Sequence, residues 1–128
     1  MRHSAKSLLD AGSYPLVVVI AADAQADAKA ALSGLDDFVL VEGGATRQES
    51  VRAGLEAMQS GGSAPERVLI HDAARPDLPV AVIERLLDAL DQHPGAIPTL
   101  PVVDSLALAS SEGTMAGSAQ RDTLRRVQ

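Results

Sequence analysis

The stretch YPLVVVIAA, residues 14–22, decides the fold. Its five consecutive large apolar residues, Leu16 to Ile20, show no alternation with polar positions. A strand wetted on one face alternates, because successive side chains point to opposite faces; a strand without alternation is covered on both. Such a strand belongs to a parallel sheet flanked by helices. Upstream of it, Ala5, Leu8 and Leu9 stand at helical spacing behind Ser4, with Gly12 as a stop, which predicts a short amphipathic helix over residues 3–11. Downstream, AQADAKAALSG predicts an alanine-rich helix ending at Gly34, and DFVLVE, residues 37–42, predicts a second strand.

Gly43 and Gly44 then lead into ATRQESVRAGLEAMQ, where Thr46 caps a helix and Glu49, three residues on, completes a capping box. Val51, Leu55 and Met58 supply its buried stripe. SGGSAPE is a loop and RVLIH a third strand. PVAVIERLLDALDQ is an amphipathic helix that turns Val82, Leu86, Leu87 and Leu90 inward. GAIPTLPVV predicts a fourth strand, which its prolines place near a sheet edge. From Asp104 the period loosens: SLALASSEGTMAGSAQ turns at Glu112 and Gly113 as a hairpin, and RDTLRRVQ begins a last helix. This alternation of helices and strands predicts an α/β fold with a Rossmann-like, doubly wound, mainly parallel sheet. It forms one domain over residues 1–128, with a projecting β-arm at about 104–121.

Composition narrows the function. The apolar fraction is 46%, yet Tyr14 and Phe38 are the sole aromatics, so the core is built from aliphatic side chains. A net charge of −6 without a Lys/Arg cluster argues against nucleic acid or an anionic membrane as partner, and for a small ligand. With no cysteine there is no disulfide, thiolate metal site or cysteine nucleophile, which suits a reducing cytoplasm. No run approaches the ~18 apolar residues of a membrane span, and the first residues lack an export signal's apolar stretch.

In open parallel sheets ligands bind beyond the carboxyl ends of the strands, so the residues following each strand carry the chemistry. After the second strand, EGGATRQES joins a glycine pair to a helix N-terminus, whose free N–H groups suit an anion or a nucleobase edge; a plain turn with a capping box is the alternative. After the third strand, HDAARP sets Asp72 and Arg75 three apart beside the small Ala73 and Ala74. There the acid suits a hydroxyl or a metal-bound phosphate and the guanidinium a phosphate, unless the two merely pair with each other. The His71–Asp72 pair is also of the kind found in metal phosphohydrolases, but His3 and His93 sit in a helix start and a helix end, which makes no convincing metal set, so the metal ligands are unknown. After the fourth strand come Asp104 and Ser105, with Arg121 opening the last helix.

Together GGATRQESVRAGL, VLIHDAARP, PVVDSLA and QRDTLRRVQ resemble, in order and nearly in spacing, the 2-C-methyl-D-erythritol 4-phosphate cytidylyltransferases, including the form fused to a cyclodiphosphate synthase. The resemblance spans roughly the whole chain. It implies a fold of the nucleotide-diphospho-sugar transferase type and transfer of a cytidylyl group from CTP to methylerythritol phosphate, in isoprenoid precursor synthesis. It also implies Mg2+ accompanying the CTP, a cytoplasmic homodimer, and an arm that clasps the second subunit. By motif, Gly44, Ala45 and Ser50 lie against the cytidine, and Asp72 and Ala73 lie at the ribose and phosphate side. Arg75, Ser105 and Arg121 hold the sugar phosphate, and Asp72, Arg75 and Arg121 are the expected catalytic residues.

Ala45, Ser105 and Gln120 replace an aspartate, a threonine and an aspartate common in the family. The family also opens with a strand and a glycine-rich, cationic loop and continues past Gln128. The 128-residue chain is therefore expected to be a partial domain, inactive alone, with apolar sheet edges. A cytidylyltransferase for ribitol 5-phosphate and a non-catalytic nucleotide-binding or dimerisation module are the alternatives.

Overall fold

A computed structural model describes residues 1–62 and 64–128. Ser63, within the predicted SGGSAPE loop, lies outside the described residues. The chain divides into two units, Met1–Glu84 and Arg85–Gln128.

The first unit runs α1 (Arg2–Asp10), β1 (Leu16–Ile20), α2 (Gln25–Ala31), β2 (Phe38–Glu42) and α3 (Arg47–Ser60). β1 and β2 pair in parallel, from Leu16 opposite Phe38 to Ile20 opposite Glu42, as the unalternating run requires. The Gly43 N–H donates to the Ile20 carbonyl at 2.8 Å and carries the ladder one residue further. α3 packs on both strands. Its buried Gly54 permits this approach, since a Cβ there would stand 3.0 Å from Val19 Cγ2. Ala5, Leu8, Leu16, Ala28 and the fully buried Leu32 form the aliphatic core. The Arg2 guanidinium donates to the Ser33 carbonyl and, at 3.5 Å, to that of Ala31, tying α1 to the end of α2.

The expected third strand is corrected. Residues 68–70 follow the chain without pairing as a strand among the described residues, and Ile70 is 59% exposed. An apolar run supplies the propensity for a strand, but the strand itself is a ladder of hydrogen bonds and needs a neighbour. The helix that follows, α4 (Val80–Leu90), begins in the first unit and ends in the second. Its most buried residue is Ile83, with the expected Val82, Leu86, Leu87 and Leu90 half-buried around it.

In the second unit the fourth strand contracts to β3 (Thr99–Pro101). Its partner corrects a further expectation. RDTLRRVQ forms no helix but a single 3-10 turn, Arg121–Thr123, and then β6 (Arg125–Val127), antiparallel to β3. Leu124, at φ −101° and ψ 150°, is already extended, so the chain leaves the helical region before a second turn can close. Between these strands the predicted hairpin is present as β4 (Ala107–Ala109) and β5 (Met115–Ser118), antiparallel with an irregularity at Leu108/Ala109. Gly113 takes φ 78° in its turn. There the Ser110 hydroxyl accepts from the Glu112 and Thr114 N–H groups, both at 3.2 Å.

Candidate active site

The loop after β2 is shaped by the start of α3. Thr46 Oγ1 accepts from the Glu49 N–H at 3.2 Å, and a Glu49 carboxylate oxygen accepts from the Thr46 N–H at 2.9 Å, completing the predicted capping box. The Gly44 N–H donates to Ser50 Oγ at 3.2 Å, and that hydroxyl lies 3.0 Å from the Thr46 carbonyl oxygen, to which it donates. Gly44 and Ser50 are thus brought together. Ala45 stands exposed beside them. Neither glycine has a positive φ; both are required by space. A Cβ on Gly43 would lie 2.7 Å from Ser50 Oγ, and one on Gly44 would lie 2.2 Å from Glu49 Cβ. The Glu49 carboxylate already faces this helix end, so a second anion there meets repulsion, whereas a neutral ring edge does not.

Residues 71–76 make a tight turn. The Arg75 N–H donates to the Asp72 carbonyl at 2.9 Å, and the Ala74 N–H donates to Asp72 Oδ1 at 3.1 Å. His71 Nε2 lies 2.9 Å from the Arg75 carbonyl oxygen, and Ser4 Oγ donates from α1 to the Ala73 carbonyl at 3.3 Å. Asp72, Ala73 and Arg75 therefore share one turn. The mutual Asp72–Arg75 ion pair is not formed among the described residues; Lys6–Asp10 and Arg52–Glu56 are paired, both as exposed i,i+4 helix pairs. The Arg52 guanidinium is raised above its ordinary pKa by its hydrogen bond to Glu56 and by that carboxylate's charge, so it stays cationic and moves no proton. Sequence reading gave Ser4 only a place at the head of the first helix and set His71 aside as a metal ligand; neither was read as holding this turn. A serine on the buried stripe of α1, beside Ala5 and Leu8, was the available signal for the first.

In the second unit Arg121 donates through Nη1 to the Val103 carbonyl at 3.0 Å, which anchors it beside the PVVDSLA segment that carries an exposed Ser105. A shallow depression lined by residues 20–22, 25 and 40–42 lies at the carboxyl ends of β1 and β2, and none of these lining residues is cationic. Among the described residues no group of three His, Cys, Asp or Glu could hold a metal ion, and no helix is long and apolar enough to cross a membrane.

The sequence profile described as IspD, 2-C-methyl-D-erythritol 4-phosphate cytidylyltransferase, matches residues 1–128. The chain belongs to that family. It is similar to the bifunctional enzyme IspD/IspF of Erythrobacter litoralis, 57% identical over all 128 residues and 32% of that protein. It is also similar to the bifunctional enzyme IspD/IspF of Novosphingobium aromaticivorans, 55% identical over the same shares. The solved 4-diphosphocytidyl-2C-methyl-D-erythritol synthase of Anaerococcus prevotii matches 99% of this chain and 57% of that one with a TM-score of 0.87; at 22% identity it shows the shared fold. This member of the cytidylyltransferase family thus has the expected α/β architecture with a parallel pair. The chain spans about a third of the length of the curated relatives it matches.

Proposed function

We propose that the protein carrying this segment transfers a cytidylyl group from CTP to 2-C-methyl-D-erythritol 4-phosphate, releasing pyrophosphate, as a cytoplasmic enzyme of isoprenoid precursor synthesis. A phosphate oxygen of the acceptor attacks the α-phosphorus of CTP while the bond from that phosphorus to the bridging oxygen breaks, and the pyrophosphate leaves with its electron pair. The protein's task in such a step is to position two anions and offset their charge. The observation that carries this reading is the family match over residues 1–128, within which Asp72 and Arg75 sit on one turn and do not neutralise each other.

In this reading Gly44, Ala45 and Ser50 hold the cytosine side. The resident Glu49 carboxylate favours a neutral ring over a phosphate there. Asp72 and Ala73 meet the ribose and phosphates, while Arg75, Ser105 and Arg121 hold the acceptor phosphate, Arg121 orienting it for attack. Magnesium enters as part of the CTP complex. Its charge would offset that of the triphosphate. The exposed Leu108 and Met115 of the β4–β5 arm are covered by the second subunit of a homodimer.

The test is pyrophosphate release by a protein of the relatives' length that contains this segment, with CTP and Mg2+, offered methylerythritol phosphate or ribitol 5-phosphate. Turnover with the former supports the reading. Preference for ribitol 5-phosphate reassigns the acceptor, and CTP binding without turnover supports a non-catalytic module.

A further inference from the structure

We propose that Ser4 and His71 are positioning residues that clamp the 71–76 turn from two sides; the proposal rests on the cytidylyltransferase reading of Asp72 and Arg75. Ser4 is 3% exposed and lies on α1 with the buried Ala5 and Leu8. A hydroxyl in such surroundings is unfavourable unless it is hydrogen-bonded. Its partner is the Ala73 carbonyl oxygen at 3.3 Å, 69 residues along the chain, within the turn assigned to the nucleotide. The Met1 amine reaches the same oxygen only at 3.5 Å. On the other side His71 Nε2 approaches the Arg75 carbonyl oxygen at 2.9 Å. A carbonyl only accepts, so the proton is on Nε2, and the neutral and the cationic ring both donate there.

Between these two anchors the Asp72 carbonyl and carboxylate take the N–H groups of Arg75 and Ala74. The backbone of the turn is thereby tied inward on itself and onto α1. The guanidinium of Arg75 makes no ion pair among the described residues and is left outside the clamp, exposed. A turn fixed in this way presents its acid and its cation in one geometry before the ligands arrive, which is where positioning lowers a barrier. Neither Ser4 nor His71 touches the reacting atoms in this scheme; both act through the carbonyls they hold.

The experiment has two arms on the same protein of the relatives' length. In the first, Ser4→Ala and His71→Ala each lower kcat for cytidylyl transfer by roughly three- to tenfold, the effect of one ordinary hydrogen bond. Ser4→Thr and His71→Gln, which keep a donor, recover most of the loss. In the second, without substrate, both alanine variants speed hydrogen exchange at the Ala74 and Arg75 amides and leave β1 and β2 unchanged. Unchanged exchange at these two amides overturns the clamp, as does an equal kcat loss in the donor-keeping variants. A parent with no cytidylyl transfer sinks the functional reading instead, and the exchange arm still decides the clamp. Should Ser4→Ala fail to fold, His71→Ala on the surface turn carries both arms.

Discussion

Gly44→Ala tests whether the glycine pair is a demand of the helix start. The added Cβ would lie 2.2 Å from Glu49 Cβ and 2.9 Å from Glu49 Oε2. The carboxylate can swing away, but Cβ is fixed to the helix backbone. Carbon atoms in contact settle at about 3.5–4.0 Å, so the loop and the first turn of α3 must part by about 1.5 Å. The two capping-box bonds, at 2.9 and 3.2 Å, then pass out of range. Losing the cap destabilises by about 1 kcal/mol, and the overpacking by about 1–3 kcal/mol, so a total near 2–4 kcal/mol is expected. At the other end of the same helix Gly61, with φ −75°, offers its added Cβ only an ordinary 3.5 Å contact to the Met58 carbonyl. Gly61→Ala should therefore be neutral or stabilising, by up to about 1 kcal/mol. Urea unfolding followed by far-ultraviolet circular dichroism measures both. If Gly44→Ala falls within about 0.5 kcal/mol of Gly61→Ala, the steric account of the glycine pair is refuted.

Leu32 is fully buried, so Leu32→Ala should destabilise by about 2–5 kcal/mol in the same unfolding assay, and a loss under about 1 kcal/mol would mean that the site collapses around the gap. In a protein of the relatives' length, Asp72→Asn and Arg75→Ala should each cut turnover by roughly 10²–10³ while leaving the circular dichroism spectrum unchanged. Asparagine keeps the oxygen that accepts from Ala74, and Arg75 holds no ion pair among the described residues, so unfolding in either variant would assign these residues to structure. Deleting residues 106–118 removes β4 and β5 and should yield inactive monomers by sedimentation. A stable, active dimer would remove the arm from the interface.

Where local chemistry decides the structure, the sequence was legible. Leu16–Ile20 became the parallel β1, and Thr46 with Glu49 became a capping box with both bonds in place. Where a distant partner decides, it was not. Val68 and Ile70 have the side chains of a strand and join no ladder among the described residues, while Arg125–Val127 has the side chains of a helix and is drawn into extended pairing with β3. The site divides the same way. The HDAARP motif placed Asp72 and Arg75 on one turn beyond an apolar run, but the bonds from Ser4 and His71 end on carbonyl oxygens, which no side-chain pattern reveals.

The bond from Ser4 to Ala73 also bears on the order in which the chain folds. β1 and β2 join segments separated only by α2 and its loops, whereas this contact closes 69 residues. Closing a longer loop costs more chain entropy, so the parallel pair is available to an early nucleus and the docking of the turn on α1 follows. An interaction made after the rate-limiting step leaves the folding rate nearly alone and sets the rate of escape. Ser4→Ala is thus expected to quicken unfolding with little change in refolding, which would make the geometry of the turn the last thing this segment acquires and the first it gives up.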